Sequence, residues 1–348
     1  MGARLALLAA GLLLATSCGP REMRNLPPEA VPSASGATPS GRVSPAVATA
    51  RPDRMTTYPV PAGMRPHDVA PARDGGVWFT GQGSGELGWL DPSTGEVKRI
   101  ALGRGSAPHG VIVGPDGAPW ITDGGLNAIV RVDPVTSEVR RWAVPRPSQG
   151  LNTATFDRSG VLWFTGQAGI VGRLDPASGK VDVFDAPRGQ GPYGITTTPQ
   201  GEVWFSSLAG GYLGKIEVGT GRITVFEPPT RQAGARRVWS DSRGRLWFTE
   251  WFAGRIGIYD PGVDQWREWP LSGEHPSPYA LYVDERDVVW FTEFSSQAIV
   301  RFEPETQRFT TFQLAPGADV RQLLGRPGEL WGAESGRDAL VLIRTALD

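Results

Sequence analysis

Cysteine is nearly absent from this 348-residue chain: Cys18 stands alone. No disulfide within the chain can therefore brace the fold. Excess charge of either sign is missing too. Lys and Arg total 35 against 36 Asp and Glu, so no basic surplus exists to neutralise phosphates, and a nucleic-acid partner is not expected. Histidine is scarce, with His67, His109 and His275 making up the set of 3. No segment sustains a helical hydrophobic period, and the longest apolar run, near the N-terminus, is too short to span a bilayer.

What is abundant points the other way. Gly (46), Pro (31) and Trp (13) combine many turns with many large aromatics, as expected for short strands joined by tight loops. The first 18 residues, MGARLALLAAGLLLATSC, place a positive charge at Arg4 before an apolar run and end on small residues and Cys18. This reads as an export signal of the bacterial lipoprotein type, with Cys18 as the site of lipidation. Residues 19–54 are rich in Pro, Ala, Ser and Gly and lack aromatics. Such a composition cannot bury enough surface to offset ordering, so a flexible tether is expected. The mature protein would then be exported and lipid-anchored, on the periplasmic or outer side of a bacterial membrane. It is expected to be monomeric, with the lipid as its only membrane contact.

The rest of the chain, 55–348, repeats itself. The fragments GGVWFTGQ, GAPWITDG, GVLWFTGQ, GEVWFSSL, GRLWFTEW, DVVWFTEF and GELWGAES each carry one tryptophan: Trp78, Trp120, Trp163, Trp204, Trp247, Trp290 and Trp331. Successive spacings are 42, 43, 41, 43, 43 and 41 residues. Within each unit, alternating apolar positions and Gly/Pro/Asp turns outline four short strands. Four strands per unit, seven times over, predict an all-β, seven-bladed β-propeller. The tryptophans are expected to pack between blades. The last unit lacks a fourth strand, and MTTYPVP (55–61) resembles the fourth strands elsewhere. This N-terminal strand should complete the last blade and remove the open edges.

Eleven residues before each tryptophan, or ten in the last unit, stand His67, His109, Asn152, Tyr193, Arg236, Tyr279 and Arg321. Three residues after stand Gly81, Asp123, Gly166, Ser207, Glu250, Glu293 and Glu334. The first set opens the innermost strand and the second closes its antiparallel partner, so both should ring one mouth of the central channel. His275 lies in the loop before Tyr279, on the same face. The ring is expected to form a pocket for a small-molecule or peptide-like substrate. Glu250, Glu293 and Glu334 could hold a cation. Alternatively they bind loop amides, or pair with Arg236 and Arg321, whose guanidinium groups could equally hold an anionic ligand.

The units PHDVAPARDGGVWFTGQGSGELGWLD, APHGVIVGPDGAPWITDGGLNAIVRVD and RRVWSDSRGRLWFTEWFAGRIGIYD, with GPYGITTTPQGEVWFSS, resemble the virginiamycin B lyase (streptogramin lyase) family. The resemblance implies a lyase that opens a cyclic depsipeptide by elimination: a histidine removes a proton alpha to a carbonyl while Mg²⁺ stabilises the enolate. The family pattern has one His, then Glu-Pro-His on the next blade, with a further Glu fourteen residues later. On that pattern His109 is the base, His67 orients substrate, and Asp123 is a candidate Mg²⁺ ligand. Asn152, Tyr193, Arg236, Tyr279 and Arg321 would line the substrate site. Ala107 replaces the Glu of Glu-Pro-His, and the two histidines fall on the first two blades rather than the last two. Two other readings stay open. One is a non-catalytic propeller binding an anionic small molecule, glycan or peptide. The other is a gluconolactonase-like lactone hydrolase, whose Glu/Asn/Asn/Asp metal set only Asn152 and Glu334 could begin to match.

Overall fold

The structure is a computed structural model that describes residues 47–49 and 54–345. The chain divides into two units, Met1–Ser44 and Pro45–Asp348, and all described residues belong to the second. The export signal, Cys18 and nearly all of the tether lie outside the described residues.

The second unit is all-β. Its first strands are Pro66–Pro71, Pro108–Val113, Leu151–Phe156, Pro192–Thr197, Ala235–Ser240, Pro278–Val283 and Val320–Arg326. Each begins an antiparallel four-stranded meander, one blade of a seven-bladed propeller numbered here from the N-terminus. The first strand of each blade touches the first strand of the next, and Val320–Arg326 returns to Pro66–Pro71, closing the ring around a channel. Met55–Pro59 pairs antiparallel with Ala339–Arg344 as the outer strand of blade 7. The expected clasp is therefore present, and Tyr58 packs its ring 5.4 Å from Trp331. Within the segment read as tether, Val47–Thr49 runs parallel to Arg308–Gln313 on the outer edge of blade 6.

The core is distributed between blades, because each sheet is apolar on both faces. Second strands such as Val77–Gly81 and Val289–Glu293 are buried throughout. Trp247 of blade 5 packs with Leu281, Val289 and Phe291 of blade 6, and Trp163 of blade 3 with Ile195, Val203 and Phe205 of blade 4. The repeat tryptophans are thus inter-blade packing residues. Several of their indole N–H groups are satisfied locally: Trp163 donates to Asp157, Trp247 to Asp241 and Trp290 to Asp284, each aspartate lying in the turn six residues earlier. These carboxylates also accept turn amides, so a single residue type closes the turn and meets the polar atom of a buried ring. Glycine recurs beside the aromatics for steric reasons. A Cβ on Gly214 would stand 2.2 Å from the Phe205 ring.

Candidate functional site

The site grows out of a defect repeated in every first strand. Pro66 pairs with Gly81, and pairing resumes only at Val69 with Phe79. The same break falls between Pro108 and Gly110, Leu151 and Ala154, and Ala235 and Val238. Such bulges free backbone groups and re-aim side chains. The hydroxyl of the WFT motif repairs the break and ties it to the next blade. Thr80 accepts the Asp68 N–H at 3.0 Å and donates to the His109 carbonyl at 2.8 Å. Thr165 likewise accepts from Thr153 and donates to the Tyr193 carbonyl at 2.5 Å. Ser206 accepts from Gly194 and donates to the Arg236 carbonyl at 2.7 Å. Thr249 accepts from Arg237 and donates to the Tyr279 carbonyl at 3.3 Å. The ring residues therefore sit on backbone held from two blades at once.

His67 and His109 come together as expected. Their ring centroids are 3.8 Å apart at an angle of 46°, and the residues are 2 % and 9 % exposed. His67 Nδ1 lies 2.7 Å from Asp68 Oδ1, which makes Nδ1 the donor and leaves Nε2 as the basic atom. Asn152 places its amide nitrogen 3.3 Å from His109 Nε2, while its Oδ1 accepts the Thr153 hydroxyl at 2.8 Å. With the amide so oriented, Nε2 of His109 is the acceptor. Burial holds the His67 pKa well below its ordinary value, reinforced by the Arg321, Arg237 and Arg236 guanidinium groups. Burial also lowers that of His109, with the His67 ring, Arg237 and Arg236 adding to the effect and Asp68 opposing it. Two neutral imidazoles result at neutral pH, which is the protonation state a general base requires.

Beside them, Arg236 lies between two tyrosines, its guanidinium carbon 3.4 Å from the Tyr279 ring centroid and 4.1 Å from that of Tyr193. The two hydroxyls are 3.2 Å apart, and Arg236 donates to that of Tyr193. Burial pushes the Tyr193 phenol up; burial acts the same way on Tyr279, but the Arg236 and Arg321 charges outweigh it and draw that phenol down. Both rings serve as cation–π faces for Arg236. Tyr279 in turn stacks on Phe294, with centroids 4.2 Å apart. Arg321 donates to the Ser335 hydroxyl at 2.7 Å. His275 is exposed in its loop, where its carbonyl accepts from Ser277 and Ser295.

The ring thus converges, but it packs on itself. Asn152, Tyr193, Arg236 and Tyr279 are buried, and the cavity of about 760 Å³ lies on the other side of the ring, inside the channel. The alternative in which Arg236 and Arg321 pair with the hairpin glutamates is not met: among the described residues neither forms an ion pair with Glu250, Glu293 or Glu334, and their guanidinium groups face tyrosine rings and a serine instead. Glu293 follows the loop-binding alternative, accepting the amides of Ser277, Ser295 and Ser296.

A family model described as "Virginiamycin B lyase family" matches residues 40–265, well over half of the chain. The chain belongs to the virginiamycin B lyase family. Among solved structures, a streptogramin B lyase superposes with a TM-score of 0.77 at 24% identity, covering 83% of this chain and 97% of that one. Virginiamycin B lyase from Staphylococcus aureus gives 0.78 at 20% identity, with 84% and 99% covered. YCF48 bound to D1 peptide gives 0.71 at 14% identity, with 86% and 100% covered. At these identities the structures attest the fold alone. No curated protein sequence matches the chain.

The magnesium expected of a virginiamycin B lyase does not fit the residues at Asp123. One of its oxygens accepts the Ser106 hydroxyl at 2.5 Å, and the other the amides of Ala107 and Leu126 at 3.0 and 2.9 Å. Asp123 thus shapes the loop before His109, and Ala107 offers no oxygen ligand beyond its backbone. Mg²⁺ demands several freely placed oxygens. Among the described residues, the one group of three metal-type ligands that converges is His67, Asp68 and His109, with atoms within 4.8 Å of one another. Its two imidazoles are poor magnesium ligands, and Arg237 stands 3.6 Å from Asp68.

Sequence reasoning missed Asp68, Thr153 and Arg237. Strict alternation along a strand turns the residue after each ring position away from the channel. The bulge turns it back. Its one sequence signal was the variation at that position: Asp68, Gly110, Thr153, Gly194, Arg237, Ala280 and Gln322 share no packing character.

Proposed function

We propose that the chain is a carbon–oxygen lyase of the virginiamycin B lyase type, opening an ester or lactone in a cyclic depsipeptide-like molecule by elimination. The observation that carries this reading is the contact of His67 and His109 at 3.8 Å, both buried and neutral, with Asp68 behind one and Asn152 against the other. His109 Nε2, released from Asn152, takes the proton from the carbon alpha to a carbonyl. The electron pair forms a C=C bond as the neighbouring C–O bond breaks, and the ester leaves as a carboxylate with no water added. His67, fixed by Asp68, orients the substrate. Arg236 and Arg321 act electrostatically on His67, and this fixed positive charge would favour a developing enolate. No step is assigned to a metal.

The test is incubation of the full chain with a type B streptogramin, with and without EDTA, followed by mass spectrometry. Ring opening without mass gain supports the lyase, and persistence in EDTA supports the metal-free site. A gain of one water would indicate a lactone hydrolase. No turnover by folded protein would favour the second reading, a non-catalytic binding propeller for an anionic ligand. That reading is supported by the gathering of Arg236, Arg237 and Arg321 around His67, with Arg237 beside Asp68.

A further inference from the structure

The cavity of about 760 Å³ opens at the mouth opposite the histidines. Its rim is formed by the turns that follow the first strands, at Pro115, Pro199, Ser242 and Glu285. Its blind end is formed by Asp68, Thr153, Arg237 and Gln322, and none of the seven ring residues lines it. The walls between are largely apolar, including Val111, Ile195, Val238, Leu281 and Leu323. Volumes of ~300–1,000 Å³ suit a drug-sized ligand.

Arg237 at the blind end is 4 % exposed. Its Nη1 donates to the Thr153 hydroxyl, while Nε and Nη2 have no hydrogen-bond partner. Those two atoms form one edge of the guanidinium, the fork that receives a carboxylate through two parallel bonds. A guanidinium cannot relieve its burial by losing a proton, and buried donors left unmade are costly. The nearest acid, Asp68, is 3.6 Å from Nη2 and is held by His67 at 2.7 Å. Asp68 is thus shared between His67 and Arg237, and it leaves the Nε–Nη2 edge of the guanidinium without a full partner.

We propose that this end of the channel is a second binding site, separate from the histidine face, for a small organic carboxylate. Its acid group would sit on the Nε–Nη2 edge of Arg237 and its apolar body would lie against the channel wall. The site does not depend on the lyase reading, since its ligand enters by the other mouth.

The probe is 4-bromobenzoate, with 4-bromobenzamide as the neutral control, titrated calorimetrically into the full chain. The acid is expected to bind at least ~tenfold more tightly than the amide, because only the acid completes the charged fork. The anomalous signal of bromine in a soaked crystal should fall in the channel near Leu323. Arg237→Gln should abolish the preference. Gln322→Glu guards against a folding defect, because it supplies an internal carboxylate at the same end. That variant should lose the probe while melting no lower than the parent. Equal binding of acid and amide, bromine at the histidine face, undiminished binding in Gln322→Glu, or no binding up to ~10 mM would each overturn the proposal.

Discussion

The imidazoles of His67 and His109 touch across the seam between blades 1 and 2, with centroids 3.8 Å apart. Both have folded-state pKa values well below 6.5, which fixes the sign of the pH dependence. Below pH 6.5 the unfolded chain binds protons that the folded chain refuses, so stability is present above that value and falls as pH drops. The melting temperature should decline from about pH 6.5 downward. In His67→Gln/His109→Gln the slope should flatten. A parent slope equal to that of the double variant would refute the depressed pKa values of the two buried rings.

If His109 is the base, His109→Asn should reduce kcat by ~10²–10⁴-fold on any substrate the chain turns over, with the near-ultraviolet circular dichroism unchanged. Asp68→Asn should act through His67 orientation, lowering kcat/KM less and altering its pH profile. Equal losses in the two variants would contradict these separate roles.

Thr80→Val is nearly isosteric but removes the hydroxyl that links the Asp68 N–H to the His109 carbonyl. Two buried backbone groups lose their partner, so a loss of ~2–4 kcal/mol is expected by urea denaturation. A change below ~0.5 kcal/mol would mean that the hydroxyl does not carry the inter-blade link.

Glu250 is fully buried and neither carboxylate oxygen has a hydrogen-bond partner. Burial, with Glu268 adding to it and Arg255 opposing, pushes its pKa up to about 8. An acid with a raised folded pKa holds a proton that the unfolded chain gives up, so stability drains away as pH rises from about 4.5 to about 8. Glu250→Gln should therefore raise the melting point at pH 8 and leave it nearly unchanged at pH 4.5. A loss of stability at pH 8 would reveal a partner for the carboxylate.

The propeller was legible because its cause is local and repeated. A tryptophan every 41–43 residues marks a second strand buried on both faces, and the missing fourth strand of the last unit called for Met55–Pro59 to fill it. The pairing of His67 with His109 was also legible, since equal offsets in adjacent repeats place residues at equal heights in the ring. Three things needed the tertiary structure. Bulges turned Asp68, Thr153 and Arg237 into the channel against the alternation that a strand sequence implies. Two tyrosines from blades 4 and 6 claimed Arg236, which its place in the ring left open to a glutamate or an anionic ligand. Loop amides claimed Asp123, a metal ligand by the family resemblance, and Glu293, a possible one by its place among neighbouring glutamates. A repeat specifies where a side chain starts, through local backbone geometry. Which partner it meets depends on what the other blades bring to the axis, and only closure of the ring decides that.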